Sequence, residues 1–159
     1  MKKLSAYIDE LASFIPDLEK RNEGISTSNV GWQIEHSLLT IRFVAKGIVA
    51  SDPSQYASTF NFTKILILWT GKMPRGKAKA PKYVTPEDFT QESLQKHMIK
   101  VKEAIAELGN AHPNQFVEHP YFGKINKKET IRFLGIHTLH HIKIIREIVA
   151  AENSYAIPV

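Results

Sequence analysis

Three of the seven histidines in the chain have spacings that could place their imidazole rings around one divalent metal ion. His137 and His141 are one helical turn apart, which brings residues i and i+4 onto the same face of a helix. His36 lies far away in the sequence, where Trp32 and Leu39 recur at helical spacing. A polar ring on an apolar face needs a partner, because an unpaired buried polar group costs free energy. The pattern predicts a metal site of His36, His137 and His141, with a hydrogen-bonded core role for His36 as the alternative.

A site of three neutral imidazoles would leave the ion its full charge and at least one open position. Closed structural zinc sites have four protein ligands, so an open site indicates catalysis or ligand capture. A water bound there would become more acidic, and a bound thiol would be held as thiolate. The chain has no cysteine, which excludes disulfides, thiolate zinc sites and cysteine nucleophiles. Zinc is the first expectation, and nickel, iron and manganese also accept imidazole.

The other four histidines divide by their position. His140 is rotated away from the buried face of its predicted helix, so it is expected at the surface or behind a metal ligand. His119 precedes Pro120 in a predicted loop, where it is either structural or close to the site. His97 and His112 fit ordinary solvated positions. His119 and His140 are therefore the two that could support the metal site.

Two carboxylates and one basic segment are further candidates for the site. Glu35 and Glu118 could orient imidazoles from behind, although both also fit solvated acids. No acidic residue lies between Gly71 and Pro86, and this stretch is rich in basic residues: Lys72, Arg75, Lys77, Lys79 and Lys82. It is either a solvated loop, the simpler interpretation, or an anion-attracting rim beside the site.

Helical periodicity dominates the chain, and no segment alternates with period two, so no sheet is predicted. Residues 111–125 are expected to be irregular, and the long loop before the third main helix has the length of functional loops. Four long helices predict an all-α four-helix bundle, as one domain over residues 1–159. The helices are expected at about Lys3–Lys20, Asn29–Val49, Phe62–Trp69, Pro86–Leu108 and Lys127–Ala151.

Several residues are expected to begin, interrupt or orient these helices. Pro16 could kink or interrupt the first. Thr85–Pro86 resembles a cap followed by a proline at the first helical position. Asn126 and Glu129 have the spacing of a capping box at the start of the last helix. On the second helix, the residues predicted to share the buried face with His36 are Trp32, Leu39 and Phe43.

Composition limits the possible functions. The 159 residues include 43% hydrophobic and 23% charged residues, with a net charge of +5. The most apolar run, Ile65–Trp69, is too short to span a bilayer, and no secretory signal is recognisable at the start, so a cytoplasmic protein is expected. The small net charge and the lack of a recognition motif do not favour nucleic-acid binding.

Two stretches carry a family resemblance. Residues Val30–Leu39 resemble the second-helix region of DinB-like (YfiT-like) four-helix-bundle proteins, whose pattern is W-x-x-x-E/H-x-x-x-H. His119–Gly123, followed by His137–His141, is similar to an uncharacterised DinB-like subfamily with H-P-x-F-G and then H-x-x-H-H. That subfamily has a Gln a few residues further on, where this chain has Ile144-Ile145-Arg146.

The resemblance implies a metal site of one histidine on the second helix and an i,i+4 pair on the last, which are His36, His137 and His141 here. It also implies enzymes that use low-molecular-weight thiols, and a homodimer. A metal-dependent transfer of a thiol to an electrophile is the favoured function, with the basic loop meeting the carboxylates of an anionic thiol. A metal-dependent hydrolase and a non-catalytic metal-binding interaction module are the alternatives.

Overall fold

The structure, a computed structural model, describes residues 1–76 and 79–155, with side chains described as far as residue 151. The described residues form five helices, a two-stranded hairpin and three short 3₁₀ turns. The helices are α1 Lys2–Ser13, α2 Val30–Ala50, α3 Phe62–Thr70, α4 Gln91–Asn110 and α5 Lys127–Tyr155. The strands are β1 Phe116–His119 and β2 Gly123–Asn126, and the turns are Ile15–Asp17, Pro53–Gln55 and Lys82–Val84.

The four longer helices pack into one bundle, as predicted. Helix α2 lies against α4 and α5, and α1 packs mainly against α5. Helix α1 shows why these segments fold: Leu4, Ile8 and Leu11 recur at helical spacing and are almost completely buried. Each such side chain contributes about 1.5–3 kcal/mol through burial. Within the described residues, no helix combines the length and apolarity needed to cross a membrane.

Two local predictions, at Pro16 and at the start of α5, are confirmed, although the first helix ends well before the predicted Lys20. Helix α1 ends at Ser13, and Pro16 lies in the following 3₁₀ turn, so the predicted interruption is confirmed. The capping box of α5 is also present. The backbone N–H of Glu129 donates to Asn126 Oδ1 at 3.0 Å, and the backbone N–H of Asn126 donates to Glu129 Oε2 at 3.1 Å.

The predicted start of α4 at Thr85–Pro86 is wrong. The helix begins at Gln91, with Thr90 as its cap. The reason is tertiary, because Phe89 packs directly on α2 at Gly31 before the helix starts. A Cβ at Gly31 would lie only 2.2 Å from Phe89 Cε2, so this close approach requires glycine. Phe89 is therefore positioned by its contact with α2, and the helix begins after it.

The hairpin corrects the prediction that residues 111–125 are irregular and that no strand exists. Strands β1 and β2 pair antiparallel, with Val117 opposite Ile125 and His119 opposite Gly123. Four residues per strand are too few for a clear alternation, and such a hairpin is marginal by itself. It is stabilised by its neighbours, since Ile125 is fully buried and Val117 packs on α2 at Gly47.

The predicted buried face of α2 is also wrong. Phe43 is 45% exposed, Trp32 and Leu39 are partly buried, and Trp32 and Phe43 line a cavity together with His36. Helix α2 has apolar residues on two faces, and periodicity alone does not tell which of them meets the core. The core face consists of Val30, Ile34, Leu38, Ile41, Ala45 and Ile48.

Candidate metal centre

Three imidazole rings meet where α2 and α5 face each other. His36, His137 and His141 are buried, with 5%, 8% and 8% of their surface exposed. The Nε2 atoms of His36 and His137 lie 3.3 Å apart, and one ring nitrogen of each histidine lies within 4.8 Å of those of the other two. Two nitrogens bound to one tetrahedral zinc at about 2.0–2.1 Å would lie about 3.3 Å apart. The three residues thus fit a divalent metal ion.

A backbone carbonyl orients His36. The ring donates its Nδ1–H to the carbonyl oxygen of Val84 at 2.7 Å, which leaves the lone pair on Nε2. The 3₁₀ turn Lys82–Val84 places this acceptor against α2. Trp32 stacks on one face of the same ring, with centroids 4.9 Å apart. Such contacts behind an imidazole select the tautomer whose free nitrogen can bind a metal.

A glutamine orients His141. The ring donates its Nδ1–H to Gln33 Oε1 at 2.6 Å, and Gln33 in turn donates to Ser26 Oγ at 3.1 Å. Gln33 is 2% exposed, so its amide is held inside the bundle. Gln33 was not among the residues predicted from the sequence to support the site. The available signal was a polar side chain one turn before His36 on α2.

His137 is held differently from the other two. Its Nδ1 is buried without a hydrogen-bond partner, and the neighbouring ring is that of Phe133. The 3.3 Å separation between Nε2 atoms also fits a hydrogen bond from His137 to His36, whose own proton is on Nδ1. Metal binding through this Nε2 would therefore require the neutral His137 ring to move its proton to Nδ1.

Burial keeps these rings uncharged. Desolvation lowers the pKa of His36, and it lowers the pKa of His137 and His141 well below the ordinary value near 6.5. Mutual repulsion between the rings lowers the pKa of His137 and His141 further. Neutral imidazole is the form that binds metals, so the site is ready for an ion at neutral pH.

The three histidines line a cavity of about 590 Å³. Its walls are largely apolar and include Trp32, Phe43, Val44, Tyr83, Phe133 and Ile144. Two residues of the predicted basic rim, Arg75 and Lys79, also line it, whereas Lys77 lies outside the described residues. Arg75 is already paired, since its guanidinium donates twice to Glu147 at 2.7 Å.

One family model matches most of the chain. A family model described as "Protein of unknown function (DUF1569)" matches residues 9–148. The chain belongs to the DUF1569 family. The matched residues of this DUF1569 protein include all three clustered histidines. No curated protein and no solved structure matches the chain. The resemblance to DinB-like proteins therefore stays a prediction.

Glu35, one of the two carboxylates predicted to orient an imidazole of the site, lies outside the cavity of this DUF1569 protein. Glu35 accepts hydrogen bonds from His97 Nδ1 at 2.9 and 3.0 Å, and neither residue lines the cavity. The expectation that His97 is solvated is wrong, because its ring is buried between α2 and α4. Glu118 is exposed at the edge of the cavity, and His112 is exposed as predicted.

The two supporting histidines of the sequence analysis both reach the cavity. His140 contacts His141 edge-on, with centroids 5.1 Å apart, and burial lowers the pKa of His140. His119, in the hairpin, also lines the cavity, and its ring contacts Phe133 of α5. The site thus consists of three converging histidines, with two further histidines on the same cavity.

Proposed function

We propose that this DUF1569 protein is a metal-dependent enzyme that acts on a small molecule, with zinc as the first candidate ion. One observation carries the proposal: the three histidines converge at the wall of a cavity large enough for a substrate. Ligand sites of this kind are concave, mostly apolar and supplied with a few polar groups. His36, His137 and His141 would hold the ion, and the cavity would hold the substrate.

The favoured reaction is the transfer of a low-molecular-weight thiol to an electrophile. When bound, an ion with three neutral ligands would lower the pKa of a thiol or of a water molecule. Lys79 lines the cavity, where it could attract the carboxylate of an anionic thiol, whereas the charge of Arg75 is paired with Glu147. The apolar walls suit the body of an electrophile. Val84 and Gln33 keep two of the imidazoles in the tautomer that binds metal.

A hydrolase is the second candidate, because the rim of the cavity contains exposed residues such as Arg75, Glu118 and Tyr121, and water can enter there. A non-catalytic metal-binding module is the third. That role does not need a cavity, and structural zinc sites are closed by a fourth protein ligand. The cavity therefore favours the two enzymatic functions.

Metal analysis tests the first part of the proposal. We expect the purified wild type to bind about one equivalent of zinc, and His137→Ala to lose most of it. His112→Ala is the matched control, since it removes an exposed imidazole that does not line the cavity. Equal trace metal in all three proteins would refute the metal site.

Turnover tests the second part. We expect the zinc-loaded wild type to consume a carboxylate-bearing thiol in the presence of chlorodinitrobenzene, and His137→Ala to be inactive. Hydrolysis of nitrophenyl acetate without thiol consumption would instead support the hydrolase. A zinc-loaded protein that turns over neither substrate would support the non-catalytic module.

A further inference from the structure

The segment His119–Gly123 is not explained by metal binding alone. It forms the turn of the hairpin, in which His119 pairs with Gly123 and the N–H of Phe122 donates to the His119 carbonyl at 3.2 Å. Gly123 has a φ of 68°, a conformation that favours glycine. The turn also directs a second N–H, that of Tyr121, at the His119 ring, where it donates to Nδ1 at 3.2 Å. The segment therefore forms the turn and also fixes the position of the His119 imidazole.

Two phenyl rings clamp the His119 imidazole. Phe122 stacks on it, with centroids 4.3 Å apart and planes inclined by 19°, and Phe133 meets it edge-on at 4.7 Å. Both phenylalanines are almost completely buried, at 2% and 3% exposed. A ring packed in this way has one orientation, so the nitrogen that does not meet the turn has a fixed direction.

The contact with the turn also sets where the proton resides. A neutral imidazole has one N–H, and Nδ1 of His119 is occupied as an acceptor, so Nε2 carries the hydrogen. Burial lowers the pKa of His119 to about 4, which keeps the ring neutral at neutral pH. His119 lines the same cavity as the metal cluster, and Phe133 contacts the rings of both His119 and His137.

We propose that His119 is an oriented hydrogen-bond donor of the cavity, and that its Nε2–H recognises an anionic ligand held at the three-histidine cluster. The ligand class is a small anion, such as a thiolate or a carboxylate. This inference rests on the proposed function. It assigns a reason to the hairpin, which presents an oriented N–H at the cavity.

A purely structural role for His119 makes a different prediction, and two substitutions separate the roles. In His119→Asn, the side-chain oxygen can replace Nδ1 as the acceptor of the Tyr121 N–H, but no donor reaches the Nε2 position. In His119→Gln, the side-chain amide extends to the Nε2 position and keeps a donor there. If His119 only supports the turn, Asn should replace it better than Gln. If His119 recognises the ligand through its donor, Gln should replace it better than Asn.

The test uses cobalt-loaded protein titrated with azide, a small anion that binds open cobalt positions and changes the visible spectrum. We expect wild type and all variants to bind about one equivalent of cobalt. Azide binding should weaken roughly tenfold or more in His119→Asn and by less than about threefold in His119→Gln, as for loss of a hydrogen bond to a charged group. His112→Asn should bind azide like wild type. Equal azide affinity in wild type and His119→Asn would overturn the inference and leave the metal site intact.

A second readout needs no metal. Nitrogen NMR of the imidazoles in the metal-free wild type should show His119 as the neutral tautomer with its proton on Nε2 at pH 7. A proton on Nδ1 would overturn the inference even if the variants failed to fold. Failure of the wild type to bind cobalt would refute the proposed function, and this inference with it.

Discussion

At the scale of single residues, the acceptors behind the imidazoles matter as much as the imidazoles themselves. Val84 supplies a backbone carbonyl, which a side-chain substitution cannot remove. Gln33 supplies a side-chain oxygen, which a substitution can remove. Partners of this kind fix the tautomer and the orientation of a metal ligand, and their loss typically weakens metal affinity 10–100-fold. Gln33 is therefore the residue that tests the geometry of the site most directly.

We predict that Gln33→Leu weakens zinc binding by roughly 10–100-fold, because His141 loses the acceptor that fixes its tautomer. The buried N–H left on His141 should also destabilise the fold by about 1–3 kcal/mol. Zinc affinity is measured by competition with a chromophoric chelator, with the exposed Gln95→Leu as control. An unchanged zinc affinity in Gln33→Leu would contradict this geometry.

His119 provides a prediction about pH. Its pKa is about 4 in the folded protein and about 6.5 in the unfolded chain, so the unfolded chain binds more protons between these values. The free energy of unfolding must therefore fall as pH decreases from about 6.5 towards about 4. In His119→Gln the free energy of unfolding should fall less over this pH range, because unfolding takes up as much as one proton fewer.

Urea unfolding at pH 7 and at pH 4.5 measures this difference. The other histidines of the cavity with lowered pKa values are present in both proteins, so the difference in pH dependence reports the removal of His119, including the loss of its repulsion of His137. The same pH dependence in wild type and variant would show that the pKa of His119 is not lowered in the folded protein.

At the scale of elements, α2 and α4 are joined by a polar pair as well as by apolar packing. Glu35 and His97 are 14% and 10% exposed at their side chains, and the His97 Nε2 is buried without a partner. Buried polar groups of this kind depend on each other, because removing one leaves the other unsatisfied. We interpret the pair as an interhelical contact that sets how α4 lies on α2.

We predict that Glu35→Ala destabilises the protein by about 1–3 kcal/mol, because both ring nitrogens of His97 then lack partners. Urea unfolding at neutral pH measures the effect, and Glu103→Ala on the exposed face of α4 is the control. The zinc content should not change, since Glu35 contacts none of the three clustered histidines. Loss of zinc with unchanged stability would instead place Glu35 in the metal site.

At the scale of the whole molecule, α3 has an exposed apolar face. Phe62, Ile65, Leu66 and Trp69 recur at i, i+3, i+4 and i+7, and they are 68%, 48%, 45% and 78% exposed. The other side of α3 is fixed to the bundle, where Lys64 is buried and binds Glu129 at 3.1 Å. Contiguous apolar patches of this kind on a protein surface mark interaction sites.

We propose that a second copy of the chain covers this face, in agreement with the homodimer implied by the resemblance. Phe60, 86% exposed, extends the patch, and its three aromatic side chains present on the order of 400–500 Å². With the flanking residues this approaches the roughly 800 Å² that each partner contributes to a standard interface. A two-fold dimer would bring the same face of both copies together.

We predict that the wild type is a dimer and that Trp69→Lys is a monomer, because a dimer of the variant would bury two lysines in its interface. Light scattering after gel filtration measures the mass, and Ile99→Lys is the control, since Ile99 is an exposed apolar residue on α4. A monomeric wild type would refute the dimer. Binding of that monomer to lipid vesicles would indicate that a membrane surface covers α3.

The sequence by itself determined the features that depend on neighbouring residues. The helical periodicity, the capping box of Asn126 with Glu129, and the placement of His137 and His141 on one face all arise within one or two turns of backbone. Local geometry suffices for such features, because the residues involved cannot move far from each other. The short α3, expected at Phe62–Trp69 and observed at Phe62–Thr70, belongs to the same class.

Only the tertiary structure decided which distant groups meet. His36 and His137 are 101 positions apart, and the approach of their rings depends on the packing of α2 against α5. The acceptor at Gln33 depends on the same packing, whereas the pairing of Glu35 with His97 depends on the packing of α2 against α4. The position of His119 depends on how the hairpin packs on α2 and α5. Helix α2 has apolar residues on two faces, and periodicity cannot tell which of them is covered by neighbours and which is left to line a cavity.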